Sequence, residues 1–169
     1  MVCANAQTIQ EELNSQQVTD RDVKIAELSV KSQTVETTGL NSVDGLANSC
    51  MGFLNTVIST NDVLKEYKTE VKDKGEGEVE ITKYRANLNQ YIELAAGLTV
   101  ASTQIAQASQ ELPKASDDVK TVKNPRQIKP VKNSIEFSKE ALPVCSEEIS
   151  FQIKLVNNLI ETIKASNNN

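Results

Sequence analysis

Three groups of residues in this chain have types and spacings that could do chemistry: Cys50 with Cys145, a basic row, and an acidic cluster. The cysteines fall on regular apolar stripes. They read either as small buried hydrophobes or, in an oxidising compartment, as the halves of a disulfide. In an antiparallel bundle, reflection about the connections puts Cys145 near the level of residue 54, about one turn from Cys50. A bridge also needs neighbouring helices. Across the diagonal of a four-helix square the Cβ atoms stand too far apart to bond.

The basic row is Lys120, Lys123, Arg126, Lys129 and Lys132, five cations with no acid among them. It reads as a ladder for a polyanion: anionic lipid headgroups, acidic glycans or an acidic face of a partner protein. Its structural alternative is a solvated edge offsetting an acidic bundle. No aromatic side chain interleaves the row, so single-stranded nucleic acid finds no stacking platform there. The acidic cluster, Asp73, Glu76, Glu78 and Glu80, reads as a weak calcium site or as acids matched to helix ends. Tyr67, Tyr84 and Tyr91 read as core side chains with their hydroxyls at the rim.

The inventory argues against catalysis. There is no histidine, hence no imidazole base, no Ser-His or Cys-His pair and no usual zinc or haem ligand set. Glycine-rich phosphate loops and EF-hand loops are missing too. The chain is therefore read as non-enzymatic, with no catalytic residue, metal ligand or cofactor assigned.

These residues must be positioned by helices. The chain has 169 residues, 4% aromatics, 24% charge and only 6 glycines, a composition suited to helices around an aliphatic core. Apolar residues recur at 3–4 spacing through Val43, Leu46, Cys50, Phe53, Val57, Thr60, Leu64, Tyr67 and Val71, with Gly75 as the stop. A second helix is expected to open at Glu76 and to run through Ile81, Tyr84, Leu88, Tyr91, Ala95, Leu98, Ser102, Ile105 and Ser109, ending before Pro113. The small residues Ala95, Ser102 and Ser109 invite close approach by a neighbouring helix, or leave a cavity between helices. A last stripe is Ile135, Ser138, Leu142, Cys145, Ile149, Gln152, Val156, Leu159 and Ile163, with a kink or break expected near Ala141 to Val144 because of Pro143. Residues 8 to 37 complete the set as a helix broken near Gln17.

Between the last two long helices, residues 119–133 form five triplets, each apolar, then basic, then a third residue. That period matches polyproline II geometry, and an extended crossover over about 114–133 would leave the last two helices parallel. A helical turn followed by a proline-rich loop would keep neighbours antiparallel. The expected fold is all-α: an up-and-down bundle of four long helices.

Met1 to Ala6 resembles the end of a secretory signal peptide, with Ala4 and Ala6 at the small-residue positions of a cleavage site and Gln7 as mature start. Residues 7–166 then form a single helical domain and 167–169 a disordered tail. Cleavage would remove Cys3, leave an even cysteine pair and imply a secreted or periplasmic protein; if Met1 is a true start, the setting is cytoplasmic. No asparagine lies in a glycosylation sequon, which favours a bacterial source. The net charge of −5 argues against nucleic acid, and no apolar run is long enough to span a membrane. The expected role is a structural or protein-interaction module for an unknown protein partner or anionic surface, with oligomerisation open. Its alternatives are a carrier for a small apolar ligand held between helices and a membrane-active bundle.

Overall fold

Five α-helices carry the chain, and no strand occurs among the described residues of this computed structural model, 8–167. The cleavage-site pattern at Ala4 and Ala6, Cys3 and Gln7 lie outside those residues, as do Asn168 and Asn169. The helices are α1 (Ile9–Leu13), α2 (Gln16–Ser32), α3 (Asn41–Lys74), α4 (Leu88–Asp118) and α5 (Pro125–Asn167).

The two strongest stripes form the centre. All nine stripe residues of α3 and all nine of α5 are buried, including the polar Thr60, Ser138 and Gln152. Each fully buried Leu, Val or Ile contributes roughly 1.5–3 kcal/mol of hydrophobic stabilisation, so these faces define the core. Helix α4 packs against both α3 and α5, while α2 lies against α5 and α3 on the other side. In cross-section the bundle is a rhombus whose short diagonal is the α3–α5 contact.

Polar ties give the directions. Lys31 meets Glu140, Arg21 meets Glu148 and Glu12 meets Lys154, so α2 and its α1 extension run antiparallel to α5. Ser42 donates to Asp118 at 2.6 Å, joining the start of α3 to the end of α4. Arg85, just before α4, donates to the Ser166 carbonyl at 3.0 Å, near the end of α5. From α2 onward sequential helices are antiparallel, and α3 and α5 run parallel across the diagonal.

Several expectations need correction. The extended crossover over 114–133 is absent: α4 continues through Pro113 to Asp118, a 3-10 turn spans Val119–Thr121, and α5 begins at Pro125. Proline at the first helical position loses nothing, since that N–H has no intrahelical acceptor, and Asn124 accepts from the Arg126 N–H at 3.0 Å. Buried Ala115 on α4 and buried Val131, Ser134 and Ile135 on α5 reward helix where the triplet period suggested extension.

The break expected near Pro143 as the alternative to a kink is absent: α5 is one helix from Pro125 to Asn167. Ala141, Leu142, Cys145 and Ile149 around Pro143 are all buried, and their packing outweighs the ~3 kcal/mol cost of an internal proline. The helix extends to Asn167, the first residue of the expected tail.

The α3–α4 connection is also longer than the Asp73-to-Gly77 turn read from sequence. Gly75 ends α3 at φ 95°, and 3-10 turns occupy Glu76–Glu78 and Ile81–Asn87 before α4 starts at Leu88. Side chains three apart eclipse in a 3-10 helix, which aligns Ile81 with Tyr84. Tyr84 packs edge-on against Tyr67 at 5.6 Å between centroids. Near the N-terminus the break falls at Asn14–Ser15 rather than Gln17, and Ser15 caps α2 by accepting from the Val18 N–H.

Candidate functional site

The basic row becomes a compact pole at the α4–α5 corner. Lys120 sits on the 3-10 turn, Lys123 in the loop, and Arg126, Lys129 and Lys132 in the first turns of α5, all five exposed. From Arg126 to Lys132 the helix rises only about 9 Å, against roughly 19 Å for the same residues in polyproline II. The charge is therefore more concentrated than the extended reading implied. Lys120 pairs with Asp117 at 2.8 Å, which raises its pKa, and Lys132 lies 3.8 Å from Glu136. No ion pair engages Lys123, Arg126 or Lys129 among the described residues. Ile128 stands beside them, 52% exposed.

The helical part of this pole is tied to the neighbouring turn. Gln127 donates through Nε2 to the Thr38 carbonyl at 2.9 Å, pinning the start of α5 to the α2–α3 turn. That turn is itself clamped: the Asp44 carboxylate accepts from the Thr38 N–H and hydroxyl and from the Gly39 N–H at 2.8–2.9 Å. The first turn of α5 contains no acidic residue. Its cations therefore sit at the positive end of the helix dipole, an unfavourable placement of about 0.3–1 kcal/mol each. Both the cations and the dipole draw an anion to the same place.

Cys50 and Cys145 are buried free thiols on α3 and α5. The helices that carry them do touch, because the bundle is flattened along that diagonal. Burial pushes the Cys50 thiol up to about 11, against the pull of a hydrogen bond with Ser138. Burial, then the neighbouring Cys50 and Glu148, push Cys145 up to about 12. Low-pKa, accessible thiols are the reactive ones; these two are suited to packing.

Asp73, Glu76, Glu78 and Glu80 do not converge: among the described residues no group of three or more His, Cys, Asp or Glu side chains could hold a metal. Glu76 instead accepts from the Gln10 N–H at 3.2 Å. Tyr67 donates to the Asn158 side chain, and Tyr67, Tyr84 and Tyr91 are all buried.

A second polar cluster escaped the sequence reading. Glu148, closed to solvent on α5, accepts from Arg21 of α2 at 2.6 Å and from Lys68 of α3 at 3.3 Å. Gln152 donates to the Val57 carbonyl at 2.9 Å and to Asn61 at 3.0 Å, and Lys68 donates to Asn61 at 2.8 Å. Arg21 and Lys68 also lie over the Phe151 ring. Gln152 on the apolar stripe was the available signal, since Glu148 sits one turn before it on the same face.

The small-residue positions Ala95, Ser102 and Ser109 do not line the groove between α3 and α4. That groove, about 420 Å³, is bordered by Gly52, Phe53, Ala101 and Ala108 with a polar rim that includes Gln104 and Gln107. No helix among the described residues is long and apolar enough to cross a membrane. No protein-family model, curated protein or solved structure matches this chain.

Proposed function

We propose that this protein is a non-enzymatic helical-bundle interaction module that docks an acidic protein surface through its basic pole. The observation that carries the reading is the placement of Lys123, Arg126 and Lys129, cations without an acidic partner among the described residues, at the positive end of the longest helix. The rest of the molecule is strongly acidic. Outside the row, thirteen cations face twenty-three acids. A positive pole on an acidic body orients an approaching anionic partner and speeds its encounter.

Compactness favours a protein face over the other polyanions considered. An extended acidic glycan matches an extended ladder better than cations gathered on a turn, a loop and the start of a helix, where Arg126 to Lys132 span only about 9 Å. A membrane surface is usually gripped by bulky apolar or aromatic side chains beside the cations, and Ile128 is the one large exposed apolar residue of the row.

The test is titration with poly-L-glutamate at several salt concentrations, run beside vesicles containing phosphatidylserine. Salt-sensitive binding of the polypeptide, lost in a Lys123→Glu/Arg126→Glu/Lys129→Glu variant, supports the reading. Preference for the vesicles transfers the pole to a membrane surface and overturns it. So does polypeptide binding that the triple variant leaves intact.

A further inference from the structure

The α3–α4 side of the bundle has no charge over a long stretch. No residue from Gly45 to Asn61 on α3 is ionisable as a carboxylate or cation, and none from Leu94 to Gln110 on α4. At the chain's 24% charged content, two runs of this length would hold about eight charges. The Ser42–Asp118 tie sets the two runs side by side with an offset of about one turn, and the groove between α3 and α4 is lined by residues of both runs, with Glu111, the residue after the α4 run, at its edge. The opposite side differs sharply: α5 exposes Lys129, Lys132, Glu136, Lys139 and Glu140 in successive turns.

Glycine supplies an independent observation. Gly52 and Gly97 lie in the interiors of α3 and α4, where glycine weakens a helix relative to alanine. A Cβ added at either would meet nothing within 4 Å. Nothing inside the monomer requires a missing side chain there, yet both positions are exposed on the neutral face. Close approach of another backbone is a standard reason for glycine at such a site. Val100, 56% exposed, stands one turn from Gly97.

We infer that the α3–α4 face is the interface of a symmetric homodimer. Depletion of charge is the compositional mark of an interface core. A neutral face docks without burying unpaired charge only on another neutral face. On this molecule the α5 side and the basic pole are both charged, which leaves the α3–α4 face as its own complement. A two-fold axis pairs the same patch with itself. The runs are about 25 Å long and two helices, about 20 Å, wide. Two copies thus cover about 1,000 Å², at the lower bound for a specific association, so the dimer is a weak one. The inference does not depend on the basic pole.

Sedimentation equilibrium across about 1–100 μM tests it. Twice the chain mass is expected toward the upper end. Thr56→Glu with Gln104→Glu should raise the dissociation constant at least ~100-fold, with an unchanged helical circular dichroism signal, because like charges would then be buried together. Gly52→Ala discriminates further: the dilute monomer should melt at the same or higher temperature while the dimer weakens. Lys129→Glu should leave association unchanged. A monomer at every concentration overturns the inference, as do a dimer that survives the double glutamate variant and a dimer tightened by Gly52→Ala.

Discussion

The Arg21 guanidinium meets the Glu148 carboxylate at 2.6 Å between α2 and α5, where Glu148 is sealed from solvent. Lys68 reaches the other carboxylate oxygen from α3 at 3.3 Å. One acid thus holds three helices in register at a single level. A buried charge of this kind costs several kcal/mol to desolvate and returns it only through its partners.

Glu148→Ala should therefore cost about 3–5 kcal/mol, because Arg21 and Lys68 are left facing each other without the intervening negative charge. The midpoint of urea unfolding reads this directly. Combining Arg21→Met with Glu148→Leu should recover much of the loss, since Lys68 is nearer the surface and can turn outward. A cost below about 1 kcal/mol for the single variant would mean that the pair does not hold α2.

At the basic pole, stability and the proposed binding should move in opposite directions. Replacing Arg126 and Lys129 by Glu puts acids in the first turns of α5, where the dipole favours them. The gain is about 0.3–1 kcal/mol per site, or a few degrees in melting temperature at most. A thermal melt beside the polyglutamate titration checks both halves: melting should rise as binding falls. Loss of stability in this variant would show that the cations are held by contacts within the fold.

The α3 and α5 stripes were legible because every position at 3–4 spacing faces one core, down to the polar Thr60 and Gln152. Residues 119–133 were ambiguous: their three-residue period fits an extended chain, while the alternative of a helical turn, a loop and antiparallel neighbours lies nearer the structure and differs only in that helix resumes at Pro125. Asn124 followed by Pro125 is a cap and a first-turn proline, and buried Val131 and Ile135 are four apart. The 3-10 segment Ile81–Asn87 was hidden because its apolar spacing also fits the helix that follows. At the site, the five cations were readable by type, but their compactness depended on helix against extension. Glu148 was missed because burial of a charged residue depends on Arg21 and Lys68, which are distant in sequence.

The two thiols make a pH prediction. Cys50 and Cys145 titrate at about 11 and about 12 in the folded chain, against about 8.5 for a free cysteine. Above the unfolded value the unfolded chain loses these protons more readily than the folded one. Their contribution to stability is therefore complete below about pH 8.5 and declines as pH rises through the folded values. Tyr84, pushed by burial up to about 12, acts in the same direction. Melting temperature should fall between about pH 9 and 11, and a double Cys→Ser variant should flatten the part due to the thiols. Iodoacetamide at pH 8 should leave both thiols unmodified until denaturant is added. Rapid labelling of the native chain would contradict their burial.

The rhombic cross-section also bears on how the chain assembles. Its short diagonal joins two parallel helices, α3 and α5, with the whole of α4 between them in sequence. Parallel neighbours cannot form by a tight hairpin, so this central contact carries a larger loop-closure entropy than any sequential pair. The α3–α4 and α4–α5 hairpins can zip locally, but the buried centre closes only when α5 returns alongside α3. The transition state for folding should then be organised around α3, α4 and α5, with α2 docking late. The rate should follow the separation in sequence across that diagonal more than the helix propensity of any one segment.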